Sequence, residues 1–249
     1  VAGAAVAGAG AAELLLGGIV VLAASVQWLT GMGFALIAVP VLVLLLGPTQ
    51  GVVLANCAAG VISIGGLAAG WRRVRIGAMV PLVIAAACTV PAGSWAAARL
   101  SEPVLLAGIG TVVTLAVALA MGGARIPALT GTKGAVTAGA VGGFMNSAAG
   151  VGGPPYSLYA MNAGWSIREF VPNAQFYGIA VNVFSVAVNG VPRLSGSAWS
   201  VAVAAMVVGA LIGRALAPRV RERGMRRLIF ALALAGGFSV LIKGLLGMA

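Results

Sequence analysis

Long apolar runs alternate along this chain with short polar breaks built from glycine, proline and arginine. The breaks leave ten apolar segments, at 11–30, 34–47, 51–71, 76–98, 103–121, 134–149, 154–165, 170–191, 199–217 and 226–247. None shows the strict apolar–polar alternation of a membrane-spanning strand, so each is read as a helix. A hydrocarbon core of roughly 30 Å takes about 20 helical residues, and runs such as Ala78 to Ala98 and Trp199 to Ala217 reach that length. The segments at 34–47 and 154–165 are too short to cross alone in a straight helix. They suit half-spans, tilted pieces or arms of re-entrant hairpins, which are tolerated only where protein surrounds them. The pattern predicts an all-α polytopic membrane protein.

The pattern is also doubled. Sliding the chain along itself by 119 residues puts Gly31 and Gly33 on Gly150 and Gly152, Gln27 on Asn146, Asn56 on Gln175 and Ser63 on Asn182. After a one-residue insertion Arg73 falls on Arg193, Arg99 on Arg219 and Glu102 on Glu222. Polar matches inside apolar context point to an internal repeat: a first membrane repeat over 1–121, a cytoplasmic linker over 122–133 and a second repeat over 134–249. About five segments in each half force the halves into opposite orientations, with broken or re-entrant helices at the interface between them.

Composition and charge bear on class and orientation. The 249 residues are 61% hydrophobic and 8% charged, against about 25% charged in a soluble domain. Lysine and arginine outnumber Asp and Glu by 15 to 4. Positive loops mark the cytoplasmic side of a membrane protein, so the excess reads as topology and not as nucleic-acid binding. One face collects Arg72, Arg73, Arg75, Arg125, Lys133, Arg168, Arg219, Arg221, Arg223, Arg226 and Arg227; the other holds Arg99 and Arg193. Arginine-rich loops therefore match arginine-poor ones, as inversion requires. Both chain ends are expected outside. There is no His and no Asp, which removes zinc and Ser-His-Asp chemistry; Cys57 and Cys88 sit in apolar segments as packing residues. No cofactor and no metal are expected.

The stretch "NSAAGVGGPPYSLY" at 146–159 breaks a helix where a span should continue. Gly150, Gly152 and Gly153 allow a ligand to approach the backbone, and Pro154 suits the first turn of a new helix. A helix N-terminus offers free N–H groups and partial positive charge to an anion. "LTGMGFALIAVP" repeats the device in the first half, around Gly31 and Gly33. Around the breaks stand the neutral polar residues Gln27, Thr30, Asn146, Ser147 and Tyr156, with Asn173 and Tyr177 farther along. Asn56 and Ser63 share a helix face, as Gln175 and Asn182 do. These residues suit a small oxyanion, and they serve equally as hydrogen-bonding links between helices. Arg72, Arg73 and Arg193 are placed to guide an anion at the mouths. "GALIG", Gly209 to Gly213, suits close helix contact within one chain or between two copies in a homodimer.

The two breaks, together with the terminal "VGALIGRALAPRVRERGMRRLIFALALAGG", resemble the TauE/SafE sulfite-exporter family over nearly the whole chain. The resemblance implies a transporter, not an enzyme, for small sulfur-containing anions such as sulfite, thiosulfate, sulfoacetate or organosulfonates, in the lipid bilayer of a bacterial cell inner membrane. Glu13 is the one acidic residue placed to lie within a span, which disfavours carboxylate-based proton coupling. An interior-negative potential favours anion efflux by about 2.3 kcal/mol per charge per 100 mV, so the expectation is export by alternating access. The alternatives are a small-anion channel and an ion-coupled importer of another small organic anion.

Overall fold

The computed structural model of the protein describes residues 2–68, 70–122, 129–217 and 222–248. Among them the chain forms ten α-helices and no strand: α1 (Ala2–Thr30), α2 (Phe34–Leu46), α3 (Pro48–Leu67), α4 (Ile76–Arg99), α5 (Glu102–Met121), α6 (Gly131–Ala149), α7 (Gly153–Asn162), α8 (Ile167–Asn189), α9 (Gly196–Leu216) and α10 (Glu222–Leu246). Every expected segment is a helix, and the differences lie at the ends. Helix α3 starts at Pro48, because Gly47 turns the chain at φ 81° and proline takes the first helical position. It stops at Leu67, ahead of the expected end at 71, and a 3₁₀ turn follows at Trp71–Arg73. Arg125, Arg219, Arg221 and half of the expected linker lie outside the described residues, as do the side chains of Arg223, Arg226 and Arg227.

By length and composition α1, α3, α4, α5, α8 and α9 can each cross a membrane. Helix α6 is not among them, since glycine, alanine and threonine make up most of its sequence. Large apolar side chains such as Leu14, Ile84 and Leu211 point outward. Water would penalise so broad an apolar surface, whereas lipid accepts it. The protein is a multi-pass membrane protein.

Glycines decide how closely the helices pack. A Cβ on Gly139 or Gly143 of α6 would collide with the carbonyl oxygens of Leu82 and Ala86 on α4. On the opposite flank a Cβ on Gly209 or Gly213 of α9 would stand 2.5 and 2.7 Å from the carbonyl oxygens of Val21 and Ser25 on α1. The "GALIG" stretch is thus occupied within the chain. Hydroxyls reinforce both seams: Ser25 Oγ donates to Gly209 O at 3.0 Å, and Thr89 Oγ1 donates to Ala140 O at 2.7 Å.

The contacts fix relative directions. Along α3 and α8, Gly60 faces Asn182, Ser63 faces Gly178 and Gly66 faces Gln175, so these helices run antiparallel. Helices α5 and α10 are also antiparallel, with Gly110 against Leu241 and Gly244 against Ala107. Both pairs join helices that match in the doubled sequence. The α1–α9 and α4–α6 pairs instead run parallel, and each joins opposite halves. Contacts across the halves recur in exchanged form. Gly213 presses on Ser25 as Gly93 presses on Phe144, and Gly31 on Val171 as Gly150 on Val52.

Substitution of Gly139 or Gly143 by Val is expected to cost about 1–3 kcal/mol through overpacking, read as a lower unfolding temperature in detergent. Gly18→Ala and Gly108→Ala, where a Cβ meets nothing within 4 Å, are expected to leave that temperature unchanged or raise it.

Candidate functional site

The two helix breaks face each other. In the first, α1 ends as Gly31 takes φ 78°, and α2 begins after Gly33. In the second, α6 ends as Gly150 takes φ 72°, and α7 begins at Gly153 with proline in its first turn. A residue with a Cβ rarely adopts such positive φ. Each break carries the same C-cap bond, Gly31 N–H to Gln27 O at 2.8 Å and Gly150 N–H to Asn146 O at 2.9 Å. Between the breaks lies a cavity of about 50 Å³, lined from both halves.

Of the residues expected at a site, Gln27, Gly31, Gly33, Ser63, Asn146, Gly150, Gly152, Gly153 and Asn182 line this cavity. Gln27 Nε2 donates to Ala59 O at 2.7 Å and to Ser63 Oγ at 2.9 Å. Its counterpart Asn146 approaches the residue equivalent to Ser63: Asn146 Nδ2 lies 3.1 Å from Asn182 Oδ1 and 2.9 Å from Ser185 Oγ. Asn146 Oδ1 accepts the Gly152 N–H at 3.2 Å, which ties the loop to α6. The Asn182 amide hydrogens and Gln27 Oε1 have no protein partner among the described residues, so cavity-lining polar capacity remains open.

The structure places Asn56 and Gln175 behind the cavity wall. Both are buried, and each reaches across to the other half. Asn56 Nδ2 donates to Asn146 O and Gln175 Nε2 donates to Gln27 O, both at 3.3 Å. Each amide thus covers the carbonyl at the C-terminal end of a broken helix, where partial negative charge collects. The first-turn N–H groups of α2 and of Gly153, which carry the opposite sign, have no protein partner among the described residues.

Other expected residues stand farther off. Thr30 Oγ1 bonds Val26 O at 2.9 Å and also contacts the Met32 carbonyl. Ser147 Oγ accepts from Asn189, away from the cavity. Pro154 sits in the first turn of α7. Tyr156 donates to Phe170 O at 3.1 Å and stacks on Tyr177 with ring centroids 5.3 Å apart. At the ends, Arg72 lies over the Trp71 ring at 5.4 Å. The Arg73 carbonyl meets Asn173 Nδ2 at 3.5 Å, and the Arg193 N–H donates to Gln50 Oε1 at 2.6 Å. None of these arginines lines the cavity.

Two lining residues alter the picture. Tyr177 is fully buried and its hydroxyl has no partner. Met32, between the two glycines of the first break, lays its thioether beside Gly153 and takes a contact from Ser157 Oγ at 3.4 Å. Its position in the Gly-Met-Gly triplet was the available sign, but a methionine in an apolar chain carries no chemical signal of its own.

A polytopic helical bundle with paired helix breaks around an uncharged, mostly apolar cavity has the plan of a membrane transporter. The family model of the sulfite exporter TauE/SafE matches residues 16–240, and the chain belongs to that family. It is accordingly a transporter and not an enzyme. No curated relative and no solved structure matches the chain.

Asn146→Ala removes the partner of the Gly152 N–H and of the polar groups on α8. It is expected to destabilise the protein by about 1–3 kcal/mol, measured by thermal unfolding in detergent. Gln175→Ala should cost less, because the buried Gln175 Oε1 is already unpartnered.

Proposed function

We propose that the protein exports a small sulfur oxyanion, with sulfite as the best fit, across a bacterial inner membrane by alternating access around the cavity between the two breaks. The observation that carries this reading is the cavity itself: Gln27, Ser63, Asn146, Asn182 and the starts of α2 and α7 stand at an otherwise mostly apolar wall, with no charged side chain among its lining residues. Its volume of about 50 Å³ is several times the roughly 10–15 Å³ that one water needs on the same measure, which leaves room for a small ion.

The reading includes two inverted repeats, 1–121 and 134–249, joined by a linker. Two features support inversion. Helices α3 and α8 match in sequence yet run antiparallel, as do α5 and α10. The exchanged bonds Asn56–Asn146 and Gln175–Gln27 are what a two-fold axis in the membrane plane produces. Folds of this kind hold substrate at the repeat interface near the midplane.

The test is flux of labelled sulfite in proteoliposomes, with and without an imposed potential. Saturable flux that follows the potential is expected. Ser63→Ala and Asn182→Ala each remove one neutral donor of about 0.5–1.5 kcal/mol, and should weaken apparent affinity about 2- to 10-fold. Met32→Ala should widen the cavity and raise flux of a carbon-bearing sulfonate relative to sulfite. Sulfite flux that is absent, or indifferent to all three changes, rejects this site.

A further inference from the structure

We propose that Trp165, backed by Tyr156 and Tyr159 and capped by the Arg75–Glu169 pair, is a gate. It closes the cavity toward the end of the bundle that holds Arg72, Arg73 and Arg75, and it is balanced to open. The proposal rests on the transport reading above and adds the residues that control access from one side.

A continuous series of ring contacts runs from the cavity to that end. Tyr177, at the cavity, stacks on Tyr156 with ring centroids 5.3 Å apart. Tyr156 and Tyr159 both meet the Trp165 ring edge-to-face, at 6.2 and 5.7 Å, an arrangement that adds to the burial of apolar area. The Arg75 guanidinium lies over the same Trp165 ring at 5.5 Å and pairs with Glu169 at 3.6 Å. Tyr156 and Tyr159 are buried, whereas the side chains of Arg75 and Glu169 are 50% and 39% exposed. An ion pair so exposed holds weakly by itself, so the rings supply the closure and the pair covers them. The backbone is fastened at the same place. Arg75 N–H donates to Asn173 Oδ1 at 2.8 Å, and Asn173 Nδ2 donates to Glu169 O at 2.7 Å. These bonds tie the connection between α3 and α4 to the first turns of α8.

The opposite end of the bundle has no such plug. Under the shift of 119 residues, Tyr156, Tyr159, Trp165, Phe170 and Tyr177 fall on Ile37, Pro40, Leu46, Gly51 and Ala58. Each ring meets a smaller residue without one, and Glu169 falls on Gln50. Where one end holds Trp165 against Tyr159 and Arg75, the corresponding stretch from Leu46 to Gln50 borders an open recess of about 300 Å³. Packing demands common to both repeats would have placed rings at both ends. Rings at one end alone mark a closure specific to that side.

Two defects beside the plug oppose it. Gln175 Oε1 and the Tyr177 hydroxyl are buried without a partner among the described residues. A buried polar atom left unbonded destabilises the state that buries it, and water entering through an opened gate would satisfy both. The matching positions in the other half carry no equivalent cost. Asn56 donates to Asn146 O at 3.3 Å and receives Asn146 Nδ2 at 3.4 Å, and Ala58 has no polar side chain. Closure therefore gains ring contacts and loses hydrogen bonds, and opening reverses both. Such opposed terms give two states of similar free energy.

The experiment reads access to the cavity from each side and is independent of the ion carried. Ala35→Cys places a thiol on the cavity lining, in a chain carrying Cys57→Ala and Cys88→Ala. A membrane-impermeant maleimide is applied to right-side-out and to inverted vesicles, and labelling of Arg72→Cys in a separate chain identifies the arginine-rich side. Trp165→Ala should speed labelling from that side by about tenfold or more, as a modest shift between two states would, and Trp165→Phe should restore most of the protection. Tyr177→Phe removes a defect of the closed state and should slow labelling from the same side. Labelling from the other side should rise in none of them. No change in Trp165→Ala, a rise from both sides, or faster labelling in Tyr177→Phe overturns the gate.

A cross-link supplies a second reading in the same cysteine-free background. A reducible bifunctional thiol reagent joining Arg75→Cys to Glu169→Cys should stop labelled sulfite flux in proteoliposomes. Its monofunctional analogue should not, and reduction should restore the flux. Flux that continues through the cross-linked protein overturns the gate and leaves the carrier standing. Absence of sulfite flux before cross-linking instead overturns the transport reading, while the labelling result still decides the gate.

Discussion

A helix that ends inside a bilayer leaves peptide groups with no water to bond, and each such group must find a partner in the protein. This constraint organises the centre of the molecule. Two helices stop there, at Gly31 and Gly150, and two start there, at Phe34 and Gly153. The stopping ends are covered by amides from α3 and α8, which explains why Asn56 and Gln175 are polar in otherwise apolar spans. The starting ends are left open toward the cavity. One carbonyl at each stopping end thus takes a donor from the opposite half, while the starts of α2 and α7 lie beside the cavity.

The same arrangement accounts for the glycine content of the flanks. Placing both breaks at one level requires α1 and α6 to be held closely by neighbours. Helices α9 and α4 achieve this through backbone contact at Gly209, Gly213, Gly139 and Gly143. Small residues are the usual means of close approach in membranes, where apolar side chains gain little by leaving lipid for protein.

The fold was largely legible in the sequence because a membrane span is a composition signal: ten apolar runs became ten helices, and the two short ones remained short. Ends were less so. Pro48 and Ser195 begin helices ahead of the apolar runs they introduce, since a cap is a polar or turning residue that hydropathy reads as loop. The doubled positions converge in space, since Gln27, Ser63, Asn146 and Asn182 line one cavity. What the sequence could not separate is a side chain that faces the cavity from one that faces a carbonyl. Asn56 and Ser63 are seven residues apart on one face of α3, yet only Ser63 lines the space. The difference is set by the crossing of α6 over α3, a tertiary fact. Met32 was obscured for another reason: it is an ordinary core residue by type, and only its place between two glycines marks it.

The parallel pairs α1–α9 and α4–α6 have a mechanical consequence. Each pair takes one helix from either half, so the halves are interlaced and cannot be drawn apart like two hands. The packed core follows this interlacing. One cluster draws on α1, α2, α3, α5, α9, α10 and the end of α6, and the other on α4, α6, α7 and α8. A boundary traced between those clusters crosses the chain several times and does not divide it into a first and a second half. The packed bodies of this bundle are therefore composite, defined by contact and not by order along the chain.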